Sequence, residues 1–299
     1  MFKDCRNWKI ENEKYVKRGE LILDFDFLNR WDQELRVINS NRWGGRYFYP
    51  KSFILALGMI YVLFSLPYRQ LEGFFKALSK FIPKLKVPDH STIHRRVTKL
   101  EINLAKSLIE NKEPITIAID ASGIKVAKSG DWIRKMWKVR KGWLKIHFAV
   151  DTKSKQVVAL RVTDERTGDI REFVALLGES NKNKKVKGVL ADSAYDSNQN
   201  YKLLNSKNII AGIKPRKVKG RLRSGMKSNK ERRKAIKEYF KDENSWKKSV
   251  NYGLRWSCES AFSAFKRIFG EHVTAKKFRN MVKELQLKVF AFNALIELS

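Results

Sequence analysis

The sequence is poor in cysteine and histidine. Its two cysteines, Cys5 and Cys258, lie far apart in 299 residues, so the chain has no disulfide framework and no Cys-x-x-Cys metal motif. Of four histidines, His90 and His94 have the spacing of a helical metal pair, but no cysteine nearby completes a zinc site. We therefore expect a reduced, intracellular protein without structural zinc.

Long apolar runs are also missing. The best run, Phe53 to Phe64, has roughly a dozen residues, whereas a membrane-spanning helix needs about 20. The segment Met1 to Trp8 is charged and lacks the apolar region of a secretory signal. The sequence therefore predicts a cytoplasmic protein with no membrane partner, in which the apolar run forms a buried helix.

Acidic residues are scarce beside basic ones. The chain has 63 Lys and Arg against 31 Asp and Glu, a net charge of +32. Such a surplus is costly to hold in a compact chain unless a polyanion neutralises it. Nucleic acid is the first candidate partner and an anionic membrane surface the second. Hydrophobic residues still make up 43% of the chain, which is enough for a substantial core.

Short helices are predicted early in the chain. Residues 1–45 are charged and rich in tryptophan, and no role follows from them. Between residues 51 and 101 apolar residues recur at helical spacing, with a second helix starting after Pro67. One face of the first of these helices carries four apolar side chains: Phe53, Leu57, Ile60 and Phe64.

A third helix is predicted after Pro88, with Asp89 or Ser91 as its N-terminal cap. Arg95 and Arg96 follow in its first turns. Short helices that end in a capped, basic helix fit a helix-turn-helix, in which the basic helix enters the DNA groove. They fit equally well an all-helical packing domain with a solvated basic face, and the sequence leaves both interpretations open.

From Pro114 onward the pattern changes to short β-rich runs. The second and third runs are expected to pair across a turn at residues 151–155. The order of three strands, helix, strand, helix, strand and a late helix predicts an RNase-H-like α/β domain, which is a mixed sheet flanked by helices. We expect this domain at 113–299, after a helical, helix-turn-helix-like region at 1–112. The predicted strands are Ile115–Ile119, Trp143–Val150, Gln156–Thr163, Val186–Ala191 and Ile209–Ile213, and the predicted helices lie near 170–177 and 197–206.

A strongly basic stretch, 214–248, interrupts this order before the late helix. It holds fifteen Lys and Arg against four Asp and Glu, with turn residues at Gly220 and Gly225. We interpret it as an inserted loop or hairpin region. It is either a flexible, solvated segment or an arm that contacts phosphates.

Two aspartates, Asp120 and Asp192, each follow an apolar strand. A single aspartate at a strand end is usually a turn or cap residue. Ligands of open α/β sheets, however, collect at the carboxyl ends of strands. The matched positions of these two aspartates therefore indicate a shared site.

A third set of polar residues lies on the late helix. At about 100° per residue, Tyr252, Arg255, Glu259 and Lys266 fall within about 60° of one another. The adjoining apolar stripe is Cys258, Phe262, Phe265 and Phe269. This pattern predicts a helix that packs on the sheet and projects an acid, two bases and a phenol from its rim. The alternative is an exposed Arg–Glu pair, which contributes only tenths of a kcal/mol.

The spacing of Tyr252, Arg255, Glu259 and Lys266 resembles the signature of the insertion-sequence DDE transposases, in the superfamily of the IS-four and IS-five groups. The resemblance covers residues 45–295 and is strongest for the IS-five group. It departs from the family pattern in the length and basicity of 214–248. Four further segments resemble parts of this family: 88–96, 119–126, 141–147 and 190–196.

The resemblance implies roles for individual residues. Asp120, Asp192 and Glu259 would be catalytic and would hold two magnesium ions (Mg²⁺), or manganese (Mn²⁺) in their place. DNA would be contacted by Tyr252, Arg255 and Lys266, and in the N-terminal region by Arg95 and Arg96. Four residues would support the site: Lys145, His147, Tyr195 and Asp196.

The implied activity is cleavage of DNA at transposon ends and strand transfer into target DNA. The partners would be double-stranded DNA, as terminal inverted repeats and target, and a second copy of the chain, because two ends must be held together. A prokaryotic, nucleoid-associated protein is expected. Two alternatives stay open, an RNase-H-like nuclease that does not join strands and a DNA-binding protein derived from a transposase. The intact set of three acids argues against the second.

Overall fold

The computed structural model divides into two compact units, Met1–Ile102 with Lys277–Ser299, and Asn103–Lys276. It describes residues 7–22, 24–110, 113–126, 143–216 and 229–298, together with Lys135. The boundary expected from the sequence, between 112 and 113, differs from this division chiefly at the end of the chain. There the last helix belongs to the first unit, because its buried face packs against helices of that unit.

The first unit is helical in its described part, as predicted. Its core includes an aromatic cluster in which Phe27 and Trp31 pack around Phe53, with ring centroids 4.9 and 5.0 Å from that ring. Residues before 45, for which the sequence suggested no role, therefore help to build this core. The helices are α1 (Trp8–Ile22), α2 (Trp31–Asn39), α3 (Lys51–Phe64), α4 (Tyr68–Ser79), α5 (His90–Lys99) and, at the end of the chain, a helix at Phe278–Glu297.

Helix α3 is the buried helix that the apolar run predicts. Phe53, Leu57 and Ile60 are buried, but Phe64 is 53% exposed, so the predicted apolar face ends one turn early. The helix ends at Phe64, and the next residue, Ser65, has a left-handed backbone. Among the described residues no single helix is long and apolar enough to cross a membrane. One pair, α3 and α4, meets the criteria of length and composition jointly but is bent by 116°.

Helix α5 begins at the capping residue Asp89, whose carboxylate accepts hydrogen bonds from the amides of Ser91 and Thr92. Of the two caps that the sequence allowed, the structure uses this one. Ten residues, 80–89, separate α4 from α5. That connection is longer than the three or four residues of a helix-turn-helix turn.

The second unit is built on one mixed sheet with the order β3-β2-β1-β4-β5. Strands β1, β2 and β3 are antiparallel neighbours, whereas β4 runs parallel to both β1 and β5. This is the predicted RNase-H-like arrangement. The strands are β1 (Ile115–Val126), β2 (Trp143–Asp151), β3 (Val157–Asp164), β4 (Val186–Ala191), β5 (Ile210–Ile213) and β6 (His272–Val273), and the helices are α6 (Asp169–Asn183), α7 (Asn198–Ser206), α8 (Lys230–Lys241), α9 (Glu243–Ser249) and α10 (Trp256–Phe269). The last helix of the chain, Phe278–Glu297, is α11.

Strand β1 is longer than its apolar run suggests. The prediction that it stops at Asp120 is wrong, because antiparallel pairing with β2 continues as far as Lys125. Gly123 makes this extension feasible, since a Cβ atom there would lie 2.6 Å from the Trp143 ring of β2. Asp120 therefore lies within a strand, which fixes its backbone more firmly than a loop would.

The two faces of the sheet are covered by different helices. Ile117 and Ile119 of β1 share a core with Phe173 of α6. Successive side chains of a strand point to opposite faces, so Asp120 faces away from α6. On that opposite face Phe148, its partner in β2, stacks on Phe262 of α10 at 4.4 Å.

The basic insertion is largely helical in its described part. The prediction of a loop or hairpin is wrong for residues 230–249, which form α8 and α9. Buried Ile236, Tyr239 and Trp246 give these helices an apolar face that the dominant basic residues conceal in the sequence. Residues 217–228 of the insertion, and Lys141 and Gly142 of the family-like segment, lie outside the described residues.

One buried ion pair fastens α8 to the sheet. Asp196, which follows β4, accepts hydrogen bonds from Nε and Nη2 of Arg232 at 2.6 and 2.8 Å and from the amide of Arg216 at 2.9 Å. The carboxylate is fully buried, while Arg232 is 15% exposed. Both residues that hold Asp196 come from the insertion, so the insertion is part of the folded unit.

We predict that Arg232→Ala destabilises the protein by about 3–5 kcal/mol, because it leaves the buried Asp196 carboxylate without its ionic partner. Urea unfolding followed by circular dichroism measures the change. Arg233→Ala, which removes an exposed arginine from the same helix, is the matched control and should change stability by less than about 0.5 kcal/mol. Equal losses for the two variants would show that the ion pair does not fasten α8.

Candidate active site

Two of the predicted acidic residues directly follow the last parallel pair of the two central strands. That pairing of β1 with β4 ends at Ile119 and Ala191, so Asp120 is the next residue within β1 and Asp192 is the first residue after β4. Asp120 accepts a hydrogen bond from the amide of Ala121 at 2.8 Å, and Asp192 accepts one from the amide of Ala194 at 2.9 Å. Local backbone geometry therefore orients both carboxylates.

Arg255 brings the third acid to this place. Its Nη1 lies 3.4 Å from Oδ2 of Asp120, and its Nη2 donates to Oε1 of Glu259, one helical turn along α10. One guanidinium thus lies between two carboxylates. The structure brings Asp120, Glu259 and Arg255 together, and Asp192 directly follows the adjacent strand β4.

The electrostatics of Asp120 reflect this crowding. Burial raises the pKa of its carboxyl above the usual value, and the negative charges of Asp192 and Glu259 raise it further. The amide of Ala121 and the charge of Arg255 oppose this rise in pKa. The three acids are therefore close enough to repel one another, as carboxylates that share a site do.

Tyr252 lies beside the same acids. Its hydroxyl donates to the carbonyl of Ala191, the last residue of β4, at 3.3 Å. Burial raises the pKa of this phenol to about 12, so it is protonated at neutral pH. Tyr252 and Arg255 belong to a 3-10 helix, Tyr252–Arg255, and α10 begins at Trp256. The predicted common α-helical face therefore applies only to Glu259 and Lys266.

The apolar stripe of α10 holds the helix on the sheet. Cys258, Phe262, Phe265 and Phe269 are all buried, as predicted. The thiol of Cys258 lies 3.9 Å from the carbonyl of Phe148, and burial raises its pKa well above the usual range. This packing keeps Glu259 at the rim, where its side chain is 46% exposed.

Lys266 lies two turns beyond Glu259 on α10. Its Nζ is 4.0 Å from Oε1 of Glu271, and its side chain is 23% exposed. The pair is at the distance limit of an ion pair and Glu271 is 59% exposed, so little energy holds it together. The ammonium group is therefore available to exchange this partner for another anion.

Two predicted supporting residues follow Asp192 in the chain. Tyr195 is buried in the core against Phe173, with ring centroids 6.0 Å apart, and burial raises its pKa. Asp196 has its carboxylate occupied by Arg232 and Arg216. The structure thus places both residues in the framework around Asp192.

Lys145 and His147 lie on the opposite face of the sheet from Asp120, because His147 pairs with Ala121 in β1. Lys145 forms an ion pair with Asp169 at the start of α6, at 2.9 Å. The imidazole of His147 lies 2.9 Å from the hydroxyl of Thr163, and burial lowers its pKa. These residues attach α6 to β2, and they do not join the acids.

The predicted DNA contacts Arg95 and Arg96 belong to the first unit. Arg95 is exposed and donates to Thr92 on the same helix at 3.1 Å. Arg96 is half-buried and donates to the carbonyl of Tyr49 at 2.9 Å. Its guanidinium lies 4.1 Å from the centre of the Tyr47 ring.

No sequence motif marked Tyr47 or the insertion residues Arg216 and Arg232, and only their basic or aromatic character hinted at a role.

The acids suit a hard divalent cation by their chemistry, because carboxylate oxygens are the ligands that magnesium prefers. Among the described residues, however, no three His, Cys, Asp or Glu side chains are already grouped as a metal-binding cluster. Arg255 lies between Asp120 and Glu259 instead and supplies positive charge there. The donor set fits a divalent ion provided that Arg255 moves.

Comparison with known proteins finds family models and solved structures that are similar to this chain. A family model described as "Transposase DDE domain" matches residues 111–294, and a second model of the same description matches residues 16–129. One similar structure is a cryo-EM structure of a piggyBac transposase synaptic complex with hairpin DNA. The two sequences are 11% identical, and the structural alignment covers 94% of this chain and 74% of the transposase chain with a TM-score of 0.42.

The first match spans more than half of the chain, from just before β1 to a point within α11. It therefore includes Asp120 and Asp192 at the edge of the parallel pair and Glu259 on the helix that packs against it. The chain belongs to the DDE transposase family and is a DNA-cleaving enzyme of that family.

Proposed function

We propose that Asp120, Asp192 and Glu259 are the catalytic acids and that they hold two divalent ions, magnesium or manganese. The observation that carries this proposal is the contact of Arg255 with both Asp120 and Glu259, together with the position of Asp120 and Asp192 directly after the last parallel pair of β1 and β4. When bound, the ions supply positive charge that activates the attacking oxygen and stabilises the leaving oxygen of a phosphodiester.

The chain's own residues would then bind and orient DNA. Arg255 would give up its place between the acids to bound cations, and a DNA phosphate would be the partner that best matches its planar, bidentate donors. Lys266 exchanges Glu271 for a phosphate nearby. Tyr252, protonated and fixed by Ala191, orients the strand by stacking or hydrogen bonding.

The substrate we propose is double-stranded DNA at the terminal inverted repeats of a transposon. After cleavage, the freed 3′-hydroxyl attacks target DNA at the same site, so one set of acids serves both steps. The membership that we propose within the family is the IS-four/IS-five superfamily, on the spacing of Tyr252, Arg255, Glu259 and Lys266. A homodimer on DNA is proposed because two ends must be held together. Association with the nucleoid is proposed because the substrate is DNA.

A strand-joining assay with pre-cleaved ends distinguishes this proposal from a nuclease that only cuts. We expect the purified protein to join such ends to a target plasmid when magnesium or manganese is present, and chelation of the metal to stop the reaction. Cleavage without joining would support the nuclease. Binding with neither activity would support a transposase-derived DNA-binding protein.

We predict that Glu259→Gln abolishes cleavage while binding of transposon ends persists, because the amide keeps the size of the side chain but loses the ligand charge. Gel-shift and cleavage assays measure the two properties. Titration with manganese, followed by calorimetry, should show weaker cation binding by the variant. Glu238→Gln, on an exposed acid of α8, is the control and should leave both unchanged. Retained cleavage by Glu259→Gln would remove Glu259 from the catalytic set.

We predict that Lys266→Ala weakens binding of transposon ends by about 1–3 kcal/mol, the range of a charge-assisted hydrogen bond. Cleavage should recover partly at high protein and low salt, because the lost contribution is electrostatic. Arg267→Ala is the matched control, since it removes one positive charge from an exposed neighbour on the same helix. Loss of cleavage with unchanged binding at every salt concentration would show that Lys266 acts on the chemistry instead.

A further inference from the structure

The first unit contains a cavity of about 750 Å³ between α5 and the segment that joins α2 to α3. This volume falls within the range of about 300–1,000 Å³ for ligand-binding cavities. Glu101 is the one acidic residue among those described as lining it. Its basic lining residues are Arg42, Arg46, Lys51, Arg95, Arg96 and Lys99. We call this feature the Tyr47 cavity, after the aromatic residue in its wall.

The Tyr47 ring holds two of these arginines close together. The guanidinium carbons of Arg42 and Arg96 lie 3.8 and 4.1 Å from the centre of the ring. The backbone of Tyr47 is fixed in turn by Asn39, whose side-chain amide accepts from its N–H at 2.8 Å and donates to its carbonyl at 2.9 Å. The arginines are therefore pre-organised by the fold.

Hydrogen bonds to backbone carbonyls orient both guanidinium groups. Nε of Arg42 donates to Gly45 at 2.6 Å, and Nη2 of Arg96 donates to Tyr49 at 2.9 Å. A guanidinium has five N–H donors, so donors remain for a ligand. The arrangement resembles the planar, forked donor sets that bind phosphate in two-point fashion.

The charges in the cavity also act on one another. A hydrogen bond from Arg42, followed by the charges of Arg42, Arg96 and Lys99, lowers the pKa of the Tyr47 phenol. Burial lowers the pKa of Arg96, and the charges of Arg42 and Arg95 lower it further. The positive charges of Arg42, Arg95 and Arg96 therefore repel one another. An anion that enters the cavity is attracted by all of them at once.

We propose that the Tyr47 cavity binds consecutive phosphates of one DNA strand. The proposal rests on the proposed function, since it gives the first unit the same DNA as its ligand. A single phosphate would leave most of the cavity empty, whereas a short stretch of sugar–phosphate backbone matches both its volume and its several cations. Phosphate contacts position a protein on DNA and carry no direct sequence information. The cavity would therefore orient the first unit on DNA without reading bases.

The test compares two double variants of the full chain that lose the same charge. Arg42→Gln/Arg46→Gln alters the cavity, and Arg36→Gln/Arg69→Gln removes two exposed arginines of the same unit outside it. Fluorescence anisotropy measures the affinity for a duplex of the transposon end and for an unrelated duplex of equal length. The measurement is repeated across salt concentrations, and thermal unfolding confirms that both variants fold.

We expect the cavity variant to lose affinity by a similar factor for both duplexes. The slope of log affinity against log salt should become less steep by about two, because each lost phosphate contact removes about 0.9 from it. Tyr47→Leu, which keeps every charge, should lose part of the affinity because the arginines are no longer held in place. The control double variant should behave like the unaltered protein.

Three results would overturn the proposal. The first is an equal effect of the two double variants, which would mean that only total charge matters. The second is a loss confined to the transposon end, which would indicate base recognition. The third is a preference for another anion. It would appear as displacement of DNA by inorganic pyrophosphate at the same phosphate concentration, or as a cavity variant that loses binding to phosphatidylserine vesicles but keeps its binding to DNA. These results concern DNA binding alone, whereas failure of the proposed function appears as absent joining activity with cavity-dependent binding intact.

Discussion

The carboxylates of Asp120, Asp192 and Glu259 repel one another, and the positive charge of Arg255 lies between two of them, Asp120 and Glu259. Its contacts join β1 to the start of α10 across 135 residues of sequence. The apolar stripe of α10 supplies the packing that keeps Glu259 near Asp120 despite the repulsion. Arg255 thus supplies positive charge between the two acids, and this charge offsets part of their repulsion in the folded chain.

Local patterns allowed much of this fold to be predicted. β4 has the predicted bounds, Val186–Ala191, because a short apolar run between polar residues admits few alternatives. The end of β1 could not be predicted, since Asp120 resembles a strand terminator and its partners in β2 are distant in sequence. For the same reason the helical insertion was missed. Its folded state depends on burial of Tyr239 and Trp246, a contribution that its many basic residues conceal.

The candidate site shows the same division between local and non-local information. Strand position and motif spacing marked Asp120, Asp192 and Glu259. In the structure Arg255 joins Asp120 to Glu259, and Asp192 follows the strand next to that of Asp120. Asp196 was expected to support the site, because residues 190–196 resemble a segment of the family. Its actual partner, Arg232, is 36 residues away. A carboxylate in a chain rich in arginine can satisfy its charge in several ways, and only the fold determines which one applies.

Each unit holds groups of like charge close together, acids in the second unit and arginines in the first. In the second unit, acids are held closer than their repulsion favours, and packing of α10 maintains the arrangement. In the first unit, the ring of Tyr47 and backbone carbonyls hold arginines together in the same way. Each cluster therefore combines unfavourable repulsion between like charges with packing or hydrogen bonds that hold the charged groups in place. Groups that the folded chain has already ordered lose less conformational freedom when they bind an opposite charge than flexible exposed side chains do.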